Sequence, residues 1–546
     1  MTETTTALDA PFDHLDPLQE GVLLWPKVFS HREDMPEVGG QDRRVCVIGA
    51  GIAGLVAAYE LARRQFQVTV LESSERCGGR IHTHYFEDGS YGELGAMRIP
   101  YMHSAALDYV EQFDLPTRYF VNVNPAGRFS FDGIGSTIGI FDDERRTDGA
   151  SAQFALLQQA FPGMNRITAA GLRDGPRGLL FNLLVNPLLR HLKDDAEKWA
   201  LLRADATTPL VSQLRNTKLR EYAMSTSIGL NTADWNYLSR ATGLACLQDC
   251  SVAQFVLDMI PPLLSGAMVE IIGGMELLPK AFLHRLRESR VIVRSKVTSI
   301  AVSEKVSVSW RTGRDGNARE LFDYVVVAVP PPALRKLNFE CAHALDEKVA
   351  AISATKMGPL AKSLLHCRER FWEVEPLSIF GGLSFTNLSS QQCWYPSDNS
   401  LRYRDNSGRS RYRARNPDLS RRPGVLTASY LWGPSARKFA RIADEAKTKQ
   451  VIADLAALHQ LDPEFVERQV LSSVHKYWAD GFTLLDTSHY RHLGAPLRDA
   501  AHVARVFFAG EHVSMVHGWM ISAIVSALAA VRHVLEANAR WTATQA

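Results

Sequence analysis

Glycines stand in this chain where a backbone must come close to a ligand, and cations stand inside apolar runs where they need a partner. Gly49-Ala50-Gly51-Ile52-Ala53-Gly54 is a G-x-G-x-x-G turn. The first glycine permits the tight turn, the second lets a pyrophosphate approach the backbone, and the third lets helix and strand pack closely. A helix opening at such a turn aims free N–H groups and its positive dipole end at the phosphates. Glu72 follows Gly54 by eighteen residues, close to the spacing of a carboxylate that meets the ribose hydroxyls. An acidic group there disfavours a 2′-phosphate. Gly78-Gly79-Arg80 offers a second close approach and a guanidinium suited to pyrophosphate.

A second group of residues suits a small charged substrate. Arg98, in Gly95-Ala96-Met97-Arg98-Ile99-Pro100, is the residue type that grips a carboxylate with two parallel hydrogen bonds. Lys362 sits in an otherwise apolar run and needs a partner to offset burial. Metal chemistry has little support. Cys246 and Cys250 lie one helical turn apart, but the seven cysteines are scattered and no second pair stands nearby. No required protein nucleophile or histidine base stands out; His82 and His84 alternate along one strand face.

The elements that must position these residues read as strand–turn–helix–strand over 45–72. A mostly helical block follows from about 154 to 260. Val291–Val293 and Val306–Val308 resemble an antiparallel pair, and Tyr324–Val329 is a buried strand stopped by Pro330-Pro331-Pro332. Alternating strands and helices run over 360–485, then a strand at Val506–Ala509 and a helix from about Trp519 to Glu536. Leu401 to Pro423 holds eight arginines and reads as a solvated surface loop. At 546 residues the chain is too long for one core. Its net charge of +2 gives no reason to expect nucleic acid or an anionic membrane. Met1–Phe12 lacks a signal-peptide pattern, and Met520–Val531 is too short to span a bilayer. The cysteine usage fits a reducing compartment, so a cytoplasmic location is expected.

The ordered set of motifs resembles the flavin amine oxidase family: Gly49 to Gly54, Glu72, Gly78-Gly79-Arg80, Val297 in Lys296–Ile300, Val326 to Pro331, and Phe508-Ala509-Gly510-Glu511. The resemblance implies an α/β and α+β fold. A discontinuous Rossmann-like FAD-binding domain (41–90, 262–340 and 490–546) would carry an inserted mixed-sheet substrate-binding domain (91–150 and 341–489), a helical domain (151–261) and an N-terminal arm or leader (1–40). It implies that the backbone of Val297 meets the adenine and that Glu511 binds the ribityl chain, with Gly95, Ala96, Met97, Gly510 and Met520 also against the cofactor. The FAD is expected to be non-covalent, since the last cysteine, Cys393, lies far from the C-terminal motif, and no metal is expected.

Within that family Gly95–Pro100 is similar to the G-x-M-R-[IL]-P motif of L-amino acid oxidases. The resemblance makes Arg98 and Tyr430 the carboxylate clamp and gives Lys362 a water near flavin N5. Trp519 and the Gly518 carbonyl would hold the amine, and His517 would be structural. The implied reaction is oxidative deamination of an L-amino acid by hydride transfer from Cα to flavin N5, giving a 2-oxo acid, ammonia and, with dioxygen, hydrogen peroxide. A homodimer is common in the family. Three alternatives stay open: an amino-acid 2-monooxygenase yielding an amide, a polyamine or monoamine oxidase, which has no use for Arg98, and a flavin-binding protein without turnover. The side-chain preference is open among aromatic, aliphatic and basic.

Overall fold

The computed structural model describes residues 35, 39–40, 42–138, 147–172, 175–191, 209–242, 244–258, 267–313, 316–340, 344–406, 410–484, 505–514 and 516–545. Most of the N-terminal segment 1–40 lies outside them. β-branched runs from distant parts of the chain build a five-stranded parallel sheet, in the order Arg290–Ile292, Gln67–Leu71, Arg44–Ile48, Tyr324–Val327, Val506–Phe508. Strands buried on both faces read as continuous apolar runs, and all four Tyr324–Val327 residues are buried. Helices Ile52–Ala62 and Met520–Gln545 cover one face of this sheet and share one core with Val45, Val47 and Val326. The four-stranded sheet containing Ser295–Val302 and Val306–Thr312 packs on the other face, through Val297, Ile300 and Val308 against Cys46, Val325 and Phe508.

Two strand expectations are corrected. Arg290–Ile292 does not pair with Val306–Thr312; it joins Gln67–Leu71 in parallel, while Ser295–Val302 takes the antiparallel place. Three residues, Arg-Val-Ile, carry too little pattern to assign a partner. The buried strand expected over 324–329 ends at Val327, before the triple proline, and Pro331 starts a short helix, Pro331–Leu334, because a missing N–H costs nothing in a first helical turn.

A seven-stranded mixed sheet forms the second body. Its long strand Lys356–Cys367 lies between Val470–Leu484 and Gly424–Trp432. Side chains alternate across a strand. Ala361, Leu365 and Cys367 therefore face Val451, Ile452 and Leu455 of helix Asp444–His459, while Leu364 faces Leu94 and Val425. The helical block buries its own core around Trp235, Tyr237 and Phe255. The arginine-rich stretch is not a plain loop: Ser400–Arg404 and Ser410–Ala414 form an antiparallel hairpin, with Arg411 paired to Asp405 at 3.1 Å.

The C-terminal helix is longer than the apolar core of its sequence suggests. Met520–Trp541 is long and apolar enough to cross a membrane, but 61% of its most apolar window is buried inside the protein, where it packs on Ile52–Ala62. The first glycine turn sets how helix Ile52–Ala62 sits on the strand before it. A Cβ on Gly54 would lie 1.8 Å from the Gly49 carbonyl oxygen. Gly54→Ala must push helix Ile52–Ala62 off its strand, at a cost of about 1–3 kcal/mol. A lower thermal unfolding midpoint is expected, and an unchanged midpoint would contradict this packing.

Candidate functional site

The two glycine turns touch. Gly51 bridges Gly78, whose N–H donates to the Ala50 carbonyl at 2.8 Å. A Cβ on Gly79 would lie 3.1 Å from the Gly51 Cα. Gly49 and Gly79 both hold positive φ, 101° and 57°, a region open to glycine at no steric cost. Glu72 stands at the end of its strand and accepts from Ala50 N and Ser74 N, each at 2.8 Å. The turn, the helix start and the carboxylate thus form one cradle, bare of side chains where phosphates would approach. These residues fit a flavin dinucleotide.

Glu511 closes the cradle from the far end of the chain. One carboxylate oxygen pairs with Arg80. The other accepts from Gly518 N at 2.6 Å and Thr483 N at 3.2 Å. Burial pushes its pKa up, but Arg80, the nearby His517 and the two amides outweigh burial and hold it below the usual carboxylate range. Arg80 also donates to the Gly481 carbonyl at 3.1 Å, so these contacts of the guanidinium are to the protein. Val297 is buried, opposite Trp310. Gly510 and Gly518 take positive φ, 136° and 78°. Cys77 is half-buried, and burial raises its thiol pKa, as suits a packing residue. His517 is buried.

The residues expected from the sequence to meet a substrate converge beside this cradle. Strand Ile99–Pro100 pairs with Val269 and Met268, which places Arg98 at the end of a small sheet. The Arg98 guanidinium donates to Asn122 Oδ1 at 3.0 Å. It lies 4.2 Å from the Trp394 ring centre, 5.4 Å from Phe120 and 5.9 Å from Trp519. Met97, Phe120, Trp394, Tyr430 and Trp519 share one apolar cluster. A guanidinium stacked on such faces keeps its charge while its plane is fixed.

Lys362 enters from the seven-stranded sheet. Its ammonium donates to the carbonyls of Gly95 (2.7 Å) and Glu93 (3.2 Å) and lies 4.7 Å from the Tyr430 ring centre. Tyr430 is its cross-strand partner because of an irregularity. Ser363 pairs with Ser429 but Leu364 pairs with Thr427, leaving Ala428 as the extra residue of a bulge that re-aims the strand. Without that bulge Tyr430 would alternate with Val425 rather than share its face. Arg98, Lys362, Tyr430 and Trp519 are thus drawn together from four separate stretches of sequence.

Three residues of this site escaped the sequence reading. Trp394 and Phe120 stack on Arg98 but resemble ordinary core aromatics, and Asn122 sits in an alternating Val-Asn-Val-Asn run that hinted at a half-buried strand. Glu93 is a fourth omission; its only signal was a carboxylate two residues before Gly95 in a strand-like stretch. Among the described residues no group of His, Cys, Asp and Glu could hold a metal, and the Cys246 side chain lies outside them.

A sequence profile of flavin-containing amine oxidoreductases matches residues 52–535. Curated relatives include the L-amino-acid oxidase of Gloydius blomhoffii, 28% identical over 505 residues covering 91% of this chain and 90% of the relative. That of Daboia russelii is 27% identical, covering 91% and 90%. Among solved structures, putrescine oxidase bound to putrescine aligns over 91% of this chain and 99% of its own, with TM-score 0.63 and 15% identity, a likeness of fold. A redesigned putrescine oxidase gives TM-score 0.62 over 92% and 100%, again at 15% identity.

The depressed pKa of Glu511 has a sign. A carboxylate held below its ordinary range contributes stability that is present above that range and lost as pH falls through the folded value. Glu511→Gln is expected to unfold at lower temperature near neutrality and to show a flatter loss of stability below about pH 4.5. Superimposable acid limbs in thermal melts of the two proteins would refute the assignment of this charge.

Proposed function

The chain belongs to the flavin-containing amine oxidoreductase family, and we propose that within it the protein is an FAD-dependent L-amino acid oxidase. The observation that carries this reading is the setting of Arg98. A cation fixed by a neutral amide and aromatic faces beside the glycine cradle is suited to a carboxylate, which a simple amine or polyamine lacks. The names of the relatives support the same substrate class.

On this reading Arg98 binds the substrate carboxylate bidentately and Tyr430 adds a second donor. Trp519 walls the amine side, and the Gly518 carbonyl accepts from the amine. Held at both ends, the Cα–H has one orientation, and positioning of this kind supplies much of the rate. Lys362 holds a water on the same side. FAD, when bound, supplies the hydride acceptor and passes the electrons to dioxygen, yielding hydrogen peroxide, while the imino acid hydrolyses to a 2-oxo acid and ammonia. The cradle residues Gly49, Gly51, Gly54, Glu72, Gly79, Arg80 and Glu511 hold the cofactor, with Gly95, Ala96, Met97, Val297, Gly510 and Met520 against it. The attachment is non-covalent: Cys393 is 1% exposed and packed in the core of the seven-stranded sheet.

The test is an anaerobic panel of L- and D-amino acids with the purified yellow protein. Bleaching by L-amino acids alone, with 2-oxo acid and peroxide on aeration, is expected. An amide product would move the reaction to a monooxygenase, and bleaching only by amines without a carboxylate would exclude the reading. Arg98→Lys removes the paired geometry. Losing one charge-assisted hydrogen bond costs about 1.5–3 kcal/mol, so kcat/KM should fall roughly 10- to 150-fold, chiefly through KM.

A further inference from the structure

We propose that Glu93 is the positioning residue of Lys362: its main-chain carbonyl holds the ammonium in place, and its buried carboxylate is the counter-charge that keeps the ammonium protonated. The proposal takes Lys362 as facing the flavin, as the reading above does, but does not depend on which amine is oxidised.

Glu93 is 9% exposed and Lys362 2%. A buried ion of either kind, uncompensated, costs several kcal/mol. The Glu93 carboxylate is built in deliberately. Strand Tyr91–Glu93 pairs with Thr83–Tyr85, which brings the Thr83 hydroxyl to 3.0 Å from one carboxylate oxygen and 3.1 Å from the other. Met275 N donates at 2.8 Å. Thr83 is itself oriented by Glu276 N, which donates to its hydroxyl at 3.1 Å. Donors of this kind favour the ionised form.

The cations near Glu93 leave Lys362 as its match. Glu93 lines a cavity of about 330 Å³ with Arg118, Glu270, Arg370, Asp398, Asp88 and Tyr91. Arg118 is committed to Glu270 at 2.6 Å, and Arg370 to Asp398 at 2.6 Å and to Glu373. Facing Lys362 stand Arg98, which disfavours its charge, the Tyr430 ring, and Lys476 as register partner on Val470–Leu484, whose ammonium lies 4.7 Å from the Trp478 ring centre. Burial lowers the Lys362 pKa most, Glu93 opposes it and Arg98 adds to it. Burial likewise raises the Glu93 pKa, against the Met275 amide, Lys362 and Thr83. Each of the two therefore favours the charged form of the other, against its burial.

The experiment follows the absorbance of the oxidised flavin through a pH titration of the holoenzyme without substrate. A transition that Lys362→Met abolishes reports the ammonium. In Glu93→Gln it should move to lower pH by one unit or more, a tenfold or greater loss of proton affinity, and in Glu93→Asp it should move only part of the way. A transition unchanged in Glu93→Gln, or no Lys362-dependent transition in the parent, overturns the proposal. If Glu93→Gln alone retains no flavin, adding Lys362→Met should restore retention, since the uncompensated charge has gone. A double variant equally devoid of flavin would mean that Glu93 serves the fold without Lys362 and would likewise overturn it. Because the titration needs no turnover, a failure of amino acids to bleach the flavin would sink the oxidase reading separately.

Discussion

A carboxylate buried away from water is tolerable only when the lone pairs it presents to the protein meet donors, and Glu511 meets that condition by drawing on three distant stretches. Arg80 comes from beside the second glycine turn, Thr483 N from the last strand of the seven-stranded sheet, and Gly518 N from the loop before the C-terminal helix. The cost of burying the charge is several kcal/mol unless all three arrive together. The parallel sheet, the mixed sheet and the C-terminal loop are therefore coupled at one atom pair. Gly510, one residue earlier, donates to Ser526 of the C-terminal helix at 2.8 Å, which ties that helix to the same knot.

Around this knot the glycines do the opposite work, by contributing nothing but backbone. Gly51, Gly78 and Gly79 let two turns lie against each other, and Gly54 lets the helix start sit on Gly49. Only such a surface exposes peptide N–H groups and a helix terminus to an anion without side chains between. The carboxylate of Glu72, held by two backbone amides, then fixes the far edge of the cradle. Rigid backbone and oriented charge occur at the same place, which is what a tightly held cofactor needs.

The two buried cations beside the cradle depend on aromatic faces. The Trp394 and Phe120 rings and the Asn122 amide help to keep Arg98 in orientation. Lys362 is kept by carbonyls and the Tyr430 ring. Two cations lie in one apolar cluster, and they disfavour each other. Their coexistence is why the carboxylate of Glu93, two residues before Gly95, belongs to the same arrangement.

The sequence by itself determined whatever depends on local chain chemistry: the glycine turn and its helix, the acidic residue closing the second strand, and a buried strand starting at Tyr324, read to Val329 and ending at Val327. Each is a short stretch whose residue types allow one conformation or one chemistry. The resemblance to flavin amine oxidases was legible because its motifs keep their order along the chain. Only the tertiary structure decided which strands pair, since a short strand such as 290–292 carries no mark of its partner. It alone revealed the bulge at Ala428 that turns Tyr430 toward Lys362, because this strand is largely buried on both faces and has no alternation for an extra residue to break. Trp394, Phe120, Asn122 and Glu93 likewise became site residues only through contacts across the sheets. An aromatic ring or a buried carboxylate carries no sign in sequence of the cation it will meet.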